Sequence, residues 1–244
     1  MINILLLGIN GSGKGTQAKK LAELLNYHVI GMGDLLREHK EKNTEIGKLA
    51  TKLDKDGQLM PNSIIIDILR EEFNKYKNSV NGFIFDGVVR TREQAKELDL
   101  LMFEFNHILI PISLEFNDRE TLTNRLLKRG ETSNRIEDSN IEVINKRFDV
   151  FDKNIESIKD YYNSVTDELV IIDANNDIDY VTYEILSIFN DFDTKEYPEL
   201  YYNVANFLMN FHYCTDIIKH NLNGTFKQQF HMDYYKTVQQ KDLF

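Results

Sequence analysis

The chain has 244 residues, of which 42% are hydrophobic and 28% charged, as in a soluble folded protein with one domain and an appendage, or at most two small domains. Its formal net charge of -10 argues against nucleic acid and anionic membranes as partners, because both require a basic surface. The single cysteine, Cys214, excludes an internal disulfide bond and a zinc site with several cysteine ligands.

The N-terminus does not have the form of a targeting sequence. Met1 leads directly into an apolar strand, without the charged and apolar regions of a signal peptide. No apolar run in the sequence approaches the roughly 20 residues of a membrane-spanning helix. We therefore expect a cytoplasmic protein.

The first predicted element is an apolar strand that begins near Ile4 and leads through a glycine-rich turn into a helix from Thr16 to Leu25. The glycines of this stretch are Gly8, Gly11, Gly13 and Gly15. They would allow backbone N–H groups to surround phosphate oxygens, while Lys14 supplies a positive charge and the helix presents its N-terminus to the anion. Glycine spacing, lysine and the strand-to-helix context together predict a phosphate-binding loop.

The residues after the lysine make the prediction more specific. The general phosphate-loop pattern has Ser or Thr directly after the lysine, whereas here Gly15 intervenes and the hydroxyl follows at Thr16. This arrangement resembles the nucleoside monophosphate kinases of the adenylate kinase family, although Asn10 stands where their loop usually has proline. The resemblance implies a three-layer α/β domain with a central parallel sheet of five strands. The ATP-binding residues that it implies in the loop are Gly11, Ser12, Gly13, Lys14, Gly15 and Thr16.

A short strand from His28 to Ile30 follows the first helix, and after it the segment of about residues 31 to 76 resembles the monophosphate-binding helices of the family. Within this segment Gly33-Asp34-Leu35-Leu36-Arg37 matches a family motif, which implies that Arg37 contacts the phosphate of AMP. Met32 precedes that motif and stands near the base, where the family usually has Thr or Ser. A solvated helix charge is the alternative interpretation of Arg37.

Two helical patterns, 44–56 and 61–75, complete the monophosphate-binding segment. Gly57 is placed to end the first of them, and Pro61 is predicted at the first helical position of the second. Between them lies a turn that resembles the family's base-pocket turn, which implies that Leu59 and Met60 contact AMP.

The next strand runs from Gly82 to Asp86 and ends in an acidic residue, as in phosphate-loop proteins where this carboxylate orients Mg²⁺ and its water molecules. Asp86 is therefore the predicted metal residue, acting through water. The resemblance implies that Gly87, Arg90 and Gln94 bind AMP, with the glutamine on the adenine edge. Val88-Val89 replaces the family's Phe-Pro pair and removes a backbone constraint near Arg90.

A helix from Gln94 to Phe105 and a strand from Ile108 to Leu114 precede an arginine-rich segment at about residues 129–139. This segment resembles the short lid of the family, without the long zinc-bearing insertion. Apolar residues spaced by three and four then predict a packed helix between Ile141 and Tyr162. The arginines that match phosphate-clamp positions are Arg125, Arg129, Arg135 and Arg147. Of these, Arg125 and Arg129 are assigned to ATP.

The last strand of the expected core is Leu169 to Ile172 and its last helix Ile178 to Phe192, so we expect the kinase core to span residues 1–192. Residues 193–244 have no counterpart in the family pattern. Their apolar residues recur at helical spacing, which predicts a helical C-terminal extension and a possible self-association surface. Histidines at 212, 220 and 231 with Cys214 match no standard metal pattern.

These features predict a nucleoside monophosphate kinase that transfers the terminal phosphate of ATP to AMP, with Mg²⁺ as the cofactor and with nucleotides as its partners. The protein is expected to be a monomer. The residues assigned to the chemistry are Lys14, Arg90, Arg129, Arg135 and Arg147. A UMP/CMP kinase of the same fold is the nearer alternative, because Met60-Pro61 resembles the Val-Pro of the pyrimidine enzymes. A nucleotide-binding regulatory protein without turnover is the other alternative.

Overall fold

The computed structural model describes residues 1–56, 58–133, 135–166 and 169–191. The predicted C-terminal extension, Phe192 and Gly57 lie outside these residues. The strands in the described part are β1 (Ile2–Gly8), β2 (Tyr27–Gly31), β3 (Gly82–Asp86), β4 (Ile108–Glu115) and β5 (Val170–Asp173). Its α-helices are α1 (Lys14–Leu25), α2 (Met32–Glu41), α3 (Glu45–Asp56), α4 (Asn62–Tyr76), α5 (Arg92–Glu104), α6 (Arg119–Thr132), α7 (Ile141–Val165) and α8 (Ile178–Ser187).

The strands form one parallel sheet in the order β2-β3-β1-β4-β5, which confirms the predicted α/β fold with a five-stranded parallel sheet. The register pairs Leu6 with Asp86 and Gly8 with Leu114, so β1 ends between the ends of β3 and β4. In sheets of this kind ligands bind outside the carboxyl ends of the strands. The phosphate loop and Asp86 are therefore at the same edge of the sheet.

Both faces of the sheet are covered, which explains why its strands are nearly continuous apolar runs. On β1, Ile4 and Leu6 pack into the core that includes α1 and α8, while Leu5 and Leu7 pack into the core that includes α4, α5 and α7. These two cores give the predicted three layers. None of the described helices is both long enough and apolar enough to cross a membrane.

Several helix ends differ from the prediction. The helix predicted from Gln94 to Phe105, for example, runs from Arg92 to Glu104. The first helix begins at Lys14 rather than Thr16, directly after Gly13 in the left-handed region (φ 98). The prediction of Pro61 as a first helical residue is wrong, because its ψ of 138 is extended and it caps α4 from outside. The last helix ends at Ser187 and continues as a 3₁₀ turn, Ile188–Asp191.

Candidate active site

The loop between β1 and α1 has the backbone of a phosphate-binding loop. Gly8, Gly11 and Gly13 have φ values of 141, 90 and 98, which L side chains rarely adopt. At Gly8 space is also lacking, because a Cβ atom would lie 2.6 Å from the carbonyl oxygen of Leu114. Ser12 is 3% exposed, and its hydroxyl has no hydrogen-bond partner within the described residues. A buried hydroxyl without a partner in such a loop suits an external oxygen acceptor.

Lys14, the first residue of α1, extends back along this loop. Its Nζ donates hydrogen bonds to the carbonyl oxygens of Gly8 (2.7 Å) and Ile9 (2.9 Å), which leaves one of its three donors for a ligand. Desolvation by the surrounding protein lowers the pKa of Lys14 from 10.5 to about 8. The charge of Asp86 opposes this change in the pKa of Lys14, and three neighbouring arginines add to it.

The three arginines around Lys14 are Arg90, Arg129 and Arg147, from the β3–α5 connection, α6 and α7. Arg90 retains accessible surface in the cleft, and its guanidinium forms no hydrogen bond with any residue that the structure describes. Desolvation is the largest cause that lowers the pKa of Arg90, followed by the charge of Arg147. Four cations meet here around one cleft carboxylate, Asp86, so the cleft is suited to a polyanion.

Asp138 fixes two of these arginines from behind. Its side chain is 0% exposed and accepts hydrogen bonds from Arg129 Nε (2.6 Å) and Arg147 Nη1 (2.8 Å). Asp138 closes a 3₁₀ turn, Ile136–Asp138, between α6 and α7. A buried carboxylate between two guanidinium groups restricts both of them to one geometry. No role for Asp138 follows from the sequence, where its only signal is an acidic residue among the arginines between α6 and α7.

Arg37 and Arg135 lie in a second group, in which each arginine is paired with a carboxylate. Arg37 Nη1 donates to Glu137 Oε1 at 2.9 Å, and Arg37 is also paired with Asp34 on its own helix α2. Arg135 Nη2 donates to Asp34 Oδ1 at 3.1 Å. Desolvation first, and then the charges of Arg37 and Arg129, lower the pKa of Arg135. These ion pairs connect α2 with the segment between α6 and α7.

Apolar side chains and one amide form the surroundings of the predicted base pocket. Met32, Met60, Val88 and Val89 are 2%, 8%, 2% and 8% exposed and belong to one core cluster, while Leu59 is half-buried. Gly87 has a φ of 65 at the turn after β3.

Gln94, 3% exposed, contributes that amide from the first turn of α5. The side-chain Oε1 of Gln94 accepts a hydrogen bond from the Arg90 backbone N–H at 2.7 Å. The backbone N–H of Gln94 donates to Thr91 Oγ1 at 3.2 Å. Within the described chain its side-chain nitrogen has no hydrogen-bond partner. The oxygen therefore has a structural role in the helix start, and the nitrogen is left as a donor.

Arg125 on α6 lies beside the outer part of the loop. Its guanidinium carbon is 4.3 Å from the centre of the Phe116 ring, and its Nη1 donates to the Gly11 carbonyl oxygen at 3.4 Å. The guanidinium is a planar cation on which a base can stack, and the Phe116 ring limits where that cation can lie.

Asp86 completes the inner part of the cleft. A Cβ atom on Gly15 would lie 3.3 Å from Asp86 Oδ2, so the carboxylate faces the first turn of α1, where Thr16 follows. No cluster of three or more His, Cys, Asp or Glu side chains suited to a metal ion occurs in the ranges described above. A metal ion at Asp86 would thus depend on oxygen ligands from a bound phosphate.

Sequence comparisons agree with this arrangement. A model of the family described as adenylate kinase matches residues 6–167. The chain is 41% identical over 177 residues to an adenylate kinase of Azobacteroides pseudotrichonymphae, covering 72% of this chain and 91% of that protein. It is 39% identical over 163 residues to an adenylate kinase of Bacteroides fragilis, covering 66% of this chain and 85% of that protein. It is 34% identical over 192 residues to an adenylate kinase of Flavobacterium johnsoniae, covering 78% of this chain and 100% of that protein. With its phosphate loop, parallel sheet and arginine-lined cleft, the chain belongs to the adenylate kinase family.

Proposed function

We propose that the protein transfers the terminal phosphate of ATP to AMP and so produces two molecules of ADP. The observation that carries this proposal is the group of four cations, Lys14, Arg90, Arg129 and Arg147, beside the phosphate loop. Phosphoryl transfer depends on positioning and on neutralising the charge of the transferring group. A general base is not required, since the second pKa of a phosphate monoester is about 6 and the acceptor is already ionised at neutral pH.

ATP would bind along the loop from Gly11 to Thr16. Its phosphates would accept hydrogen bonds from the loop amides, from the Ser12 hydroxyl and from the remaining donor of Lys14. The adenine would stack near Arg125, whose guanidinium carbon lies 4.3 Å from the centre of the Phe116 ring. Arg129 would contact the terminal phosphates from α6.

The cleft also fits Mg²⁺, which prefers oxygen ligands and usually retains several water molecules. Asp86 offers a carboxylate beside the first turn of α1, and Thr16 offers a hydroxyl in that turn. When bound with ATP, the ion neutralises charge on the phosphates. Asp86 would hold its water molecules, and the phosphates would complete the oxygen set that the protein does not provide.

The phosphate of AMP would bind Arg90 and Arg37. Arg90 is free of side-chain hydrogen bonds within the described residues, so it can bind phosphate without losing a partner. Arg37 is paired with Glu137 and Asp34, and it would exchange these carboxylates for the phosphate. Arg129, Arg135 and Arg147 would then surround the transferring group.

The free nitrogen of Gln94 favours adenine over bases that present a donor at the same edge. A carboxamide N–H can donate to N1 of adenine, whereas guanine N1 and uracil N3 each carry a hydrogen. A site built for one pattern rejects the other because buried polar groups remain unpaired. The buried residues Met32 and Met60 give the rest of the pocket an apolar character suited to a purine.

The segments that enclose the substrates are proposed with the bounds given by the sequence. The core would span residues 1–192, the monophosphate-binding segment about 31–76 and the lid about 129–139. Closure would exclude water, which would otherwise accept the phosphate of ATP. Because its substrates are nucleotides of the cell interior, we place the reaction in the cytoplasm.

The test is an assay of ADP formation with ATP, Mg²⁺ and each nucleoside monophosphate in turn. We expect AMP to be the best acceptor, with UMP, CMP and dCMP at least tenfold lower in kcat/KM, about 1.4 kcal/mol. A faster reaction with UMP or CMP would instead identify a pyrimidine nucleotide kinase. Binding of ATP without turnover with any acceptor would support the regulatory alternative.

Gln94→Glu provides a sharper variant than Gln94→Ala. The carboxylate retains an oxygen to accept the Arg90 N–H and so preserves the helix start, but it removes the N–H donor. We expect the preference for AMP over UMP, whose N3 carries a hydrogen, to fall in Gln94→Glu while the melting temperature changes little. An unchanged preference would show that Gln94 does not select the base.

A further inference from the structure

Asn10 and Arg147 form a contact between the phosphate loop and helix α7. With the amide oriented so that its oxygen faces the guanidinium, Asn10 Oδ1 accepts from Arg147 Nη2 (2.6 Å) and Nε (2.7 Å). The opposite orientation would place amide donors against guanidinium donors. Because a guanidinium offers only donors, the oxygen must face it.

Arg147 is thereby held on two edges. Asn10 engages Nε and Nη2, while the buried Asp138 accepts from Nη1 at 2.8 Å. Of the five N–H groups of the guanidinium, one on each terminal nitrogen remains for a ligand. Nε and Nη2 form the edge that faces Asn10, so these remaining N–H groups point away from it and can bind the oxygens of a phosphate.

We propose that Asn10 is a positioning residue, which orients Arg147 toward the transferring phosphoryl group. This role rests on the proposed function, in which Arg147 contacts that group. Without Asn10, Arg147 would be held through Nη1 alone and could rotate about that single contact. A neutral amide is suited to this position because it directs the guanidinium without adding a negative charge beside the phosphates.

The contact also links two parts of the site that belong to different elements of the fold. Asn10 belongs to the loop between β1 and α1, at the centre of the sheet, whereas Arg147 lies on the first turns of α7, directly after the lid. The two hydrogen bonds therefore place the arginine relative to Lys14, which begins α1. Without these two hydrogen bonds, the contact with Asp138 would position Arg147 only relative to the segment between α6 and α7.

The experiment compares steady-state kinetics of the full chain with those of Asn10→Ala, Arg147→Lys and the double variant. A second substitution, Asn10→Pro, also removes the acceptor oxygen, and the Asn10 N–H forms no backbone hydrogen bond in the described structure that proline would break. Asn154→Ala is the matched control, since Asn154 lies on α7 and, within the described residues, its side-chain amide donates only to Val150 O of the same helix (2.7 Å). Melting temperatures of all variants establish that they are folded.

We expect Asn10→Ala and Asn10→Pro to lower kcat about tenfold, the usual range for a hydrogen bond to a charged group, with KM for ATP and AMP within about twofold. In the Arg147→Lys background the Asn10 substitution should have little further effect, because the guanidinium it orients is gone. Asn154→Ala should behave as the parent protein does.

Unchanged kcat in both Asn10 variants would overturn the proposal, and so would equal losses in the parent and Arg147→Lys backgrounds. A rise in KM at constant kcat would also overturn it, because it would assign Asn10 to substrate binding. A parent protein without turnover would overturn the proposed function itself, and with it this role of Asn10.

Discussion

The two groups of arginines in the cleft differ in how their charges are balanced. Around Lys14 three arginines meet two carboxylates, Asp86 and the buried Asp138, so cations are in excess. Between α2 and the lid, the two arginines Arg37 and Arg135 face two carboxylates, Asp34 and Glu137. The first group therefore keeps an excess of positive charge, whereas the charges of the second group balance one another.

This difference gives the two groups different roles. The first group supplies binding energy for phosphate, whereas in the second group phosphate competes with existing ion pairs. An anion that enters the first group finds donors that have no competing partner, as at Arg90. In the second group it must displace carboxylates, which are partly solvated: the side chain of Asp34 is 68% exposed and that of Glu137 26%. Exposed ion pairs contribute only about 0–1 kcal/mol, so phosphate can replace the pairs of Asp34 at little cost, while the half-buried pair of Arg37 with Glu137 is harder to displace.

The largest effect is expected at the centre of the cation-rich group. Lys14→Met should reduce kcat by at least about a hundredfold, because the loss of a charge-assisted contact in the transition state costs about 3 kcal/mol. Lys19→Met is the control, since it removes the same charge from an exposed position of the same helix. Steady-state kinetics with ATP and AMP measure the difference. Equal activity of Lys14→Met and the parent would contradict the account.

A smaller but still large effect is expected at Asp138. Asp138→Asn preserves the size of the side chain and removes the charge that holds Arg129 and Arg147, so kcat should fall by tens of fold. Unfolding free energy should fall by about 3 kcal/mol, as when a buried pair loses one partner. Asp152→Asn, at an exposed pair with Arg119, should change both quantities little. Denaturant titration and kinetics check this, and an Asp138→Asn protein as stable and active as Asp152→Asn would refute it.

The lowered pKa of Lys14 predicts a pH dependence. Because the pKa is about 8 rather than 10.5, the free protein loses the ammonium charge as the pH rises through about 8. The kcat/KM for ATP, which reports the free protein, should then decline above about pH 8. Bound phosphates favour the charged form and raise the pKa of Lys14, so kcat should stay level to higher pH. A kcat/KM that is flat up to about pH 10 would be inconsistent with this.

The smallest effect is expected in the balanced group. Glu137→Gln removes one carboxylate that competes for Arg37, so KM for AMP should fall about twofold to fivefold, in line with a half-buried ion pair of modest strength. Glu131→Gln, an exposed lid carboxylate that is not paired in the described structure, is the control. Initial rates at varied AMP concentration measure the change. A higher KM for AMP in Glu137→Gln would mean that this ion pair assists closure rather than competing with the substrate.

The features that sequence predicts well are those that local pattern determines. The spacing from Gly8 to Gly15 and the apolar strand before it predicted the loop, and the family resemblance that these residues carry implied the parallel sheet and its layers. Element ends were less accurate, as at Pro61, because a proline is compatible both with the cap and with the first helical position.

The candidate site could be predicted only as a set of residues, without their partners. Arg37 and Arg147 were identified, but the pairing of Arg37 with Glu137 and of Arg147 with Asn10 joins residues about a hundred or more positions apart. Asn10 was recognised only as a departure from the family pattern. Which oxygen each guanidinium meets depends on how the lid packs against α2 and the loop, which no local pattern contains.

The most direct test of the account measures all nucleotides after incubation of the full chain with ATP and Mg²⁺, with and without AMP. Chromatography separates ATP, ADP and AMP, and a phosphate assay detects hydrolysis. The account predicts that ATP and AMP disappear together and two molecules of ADP form for each ATP consumed, with little free phosphate and with little loss of ATP when AMP is absent. Release of free phosphate at the same rate with and without AMP, or no consumption of either nucleotide, would contradict it.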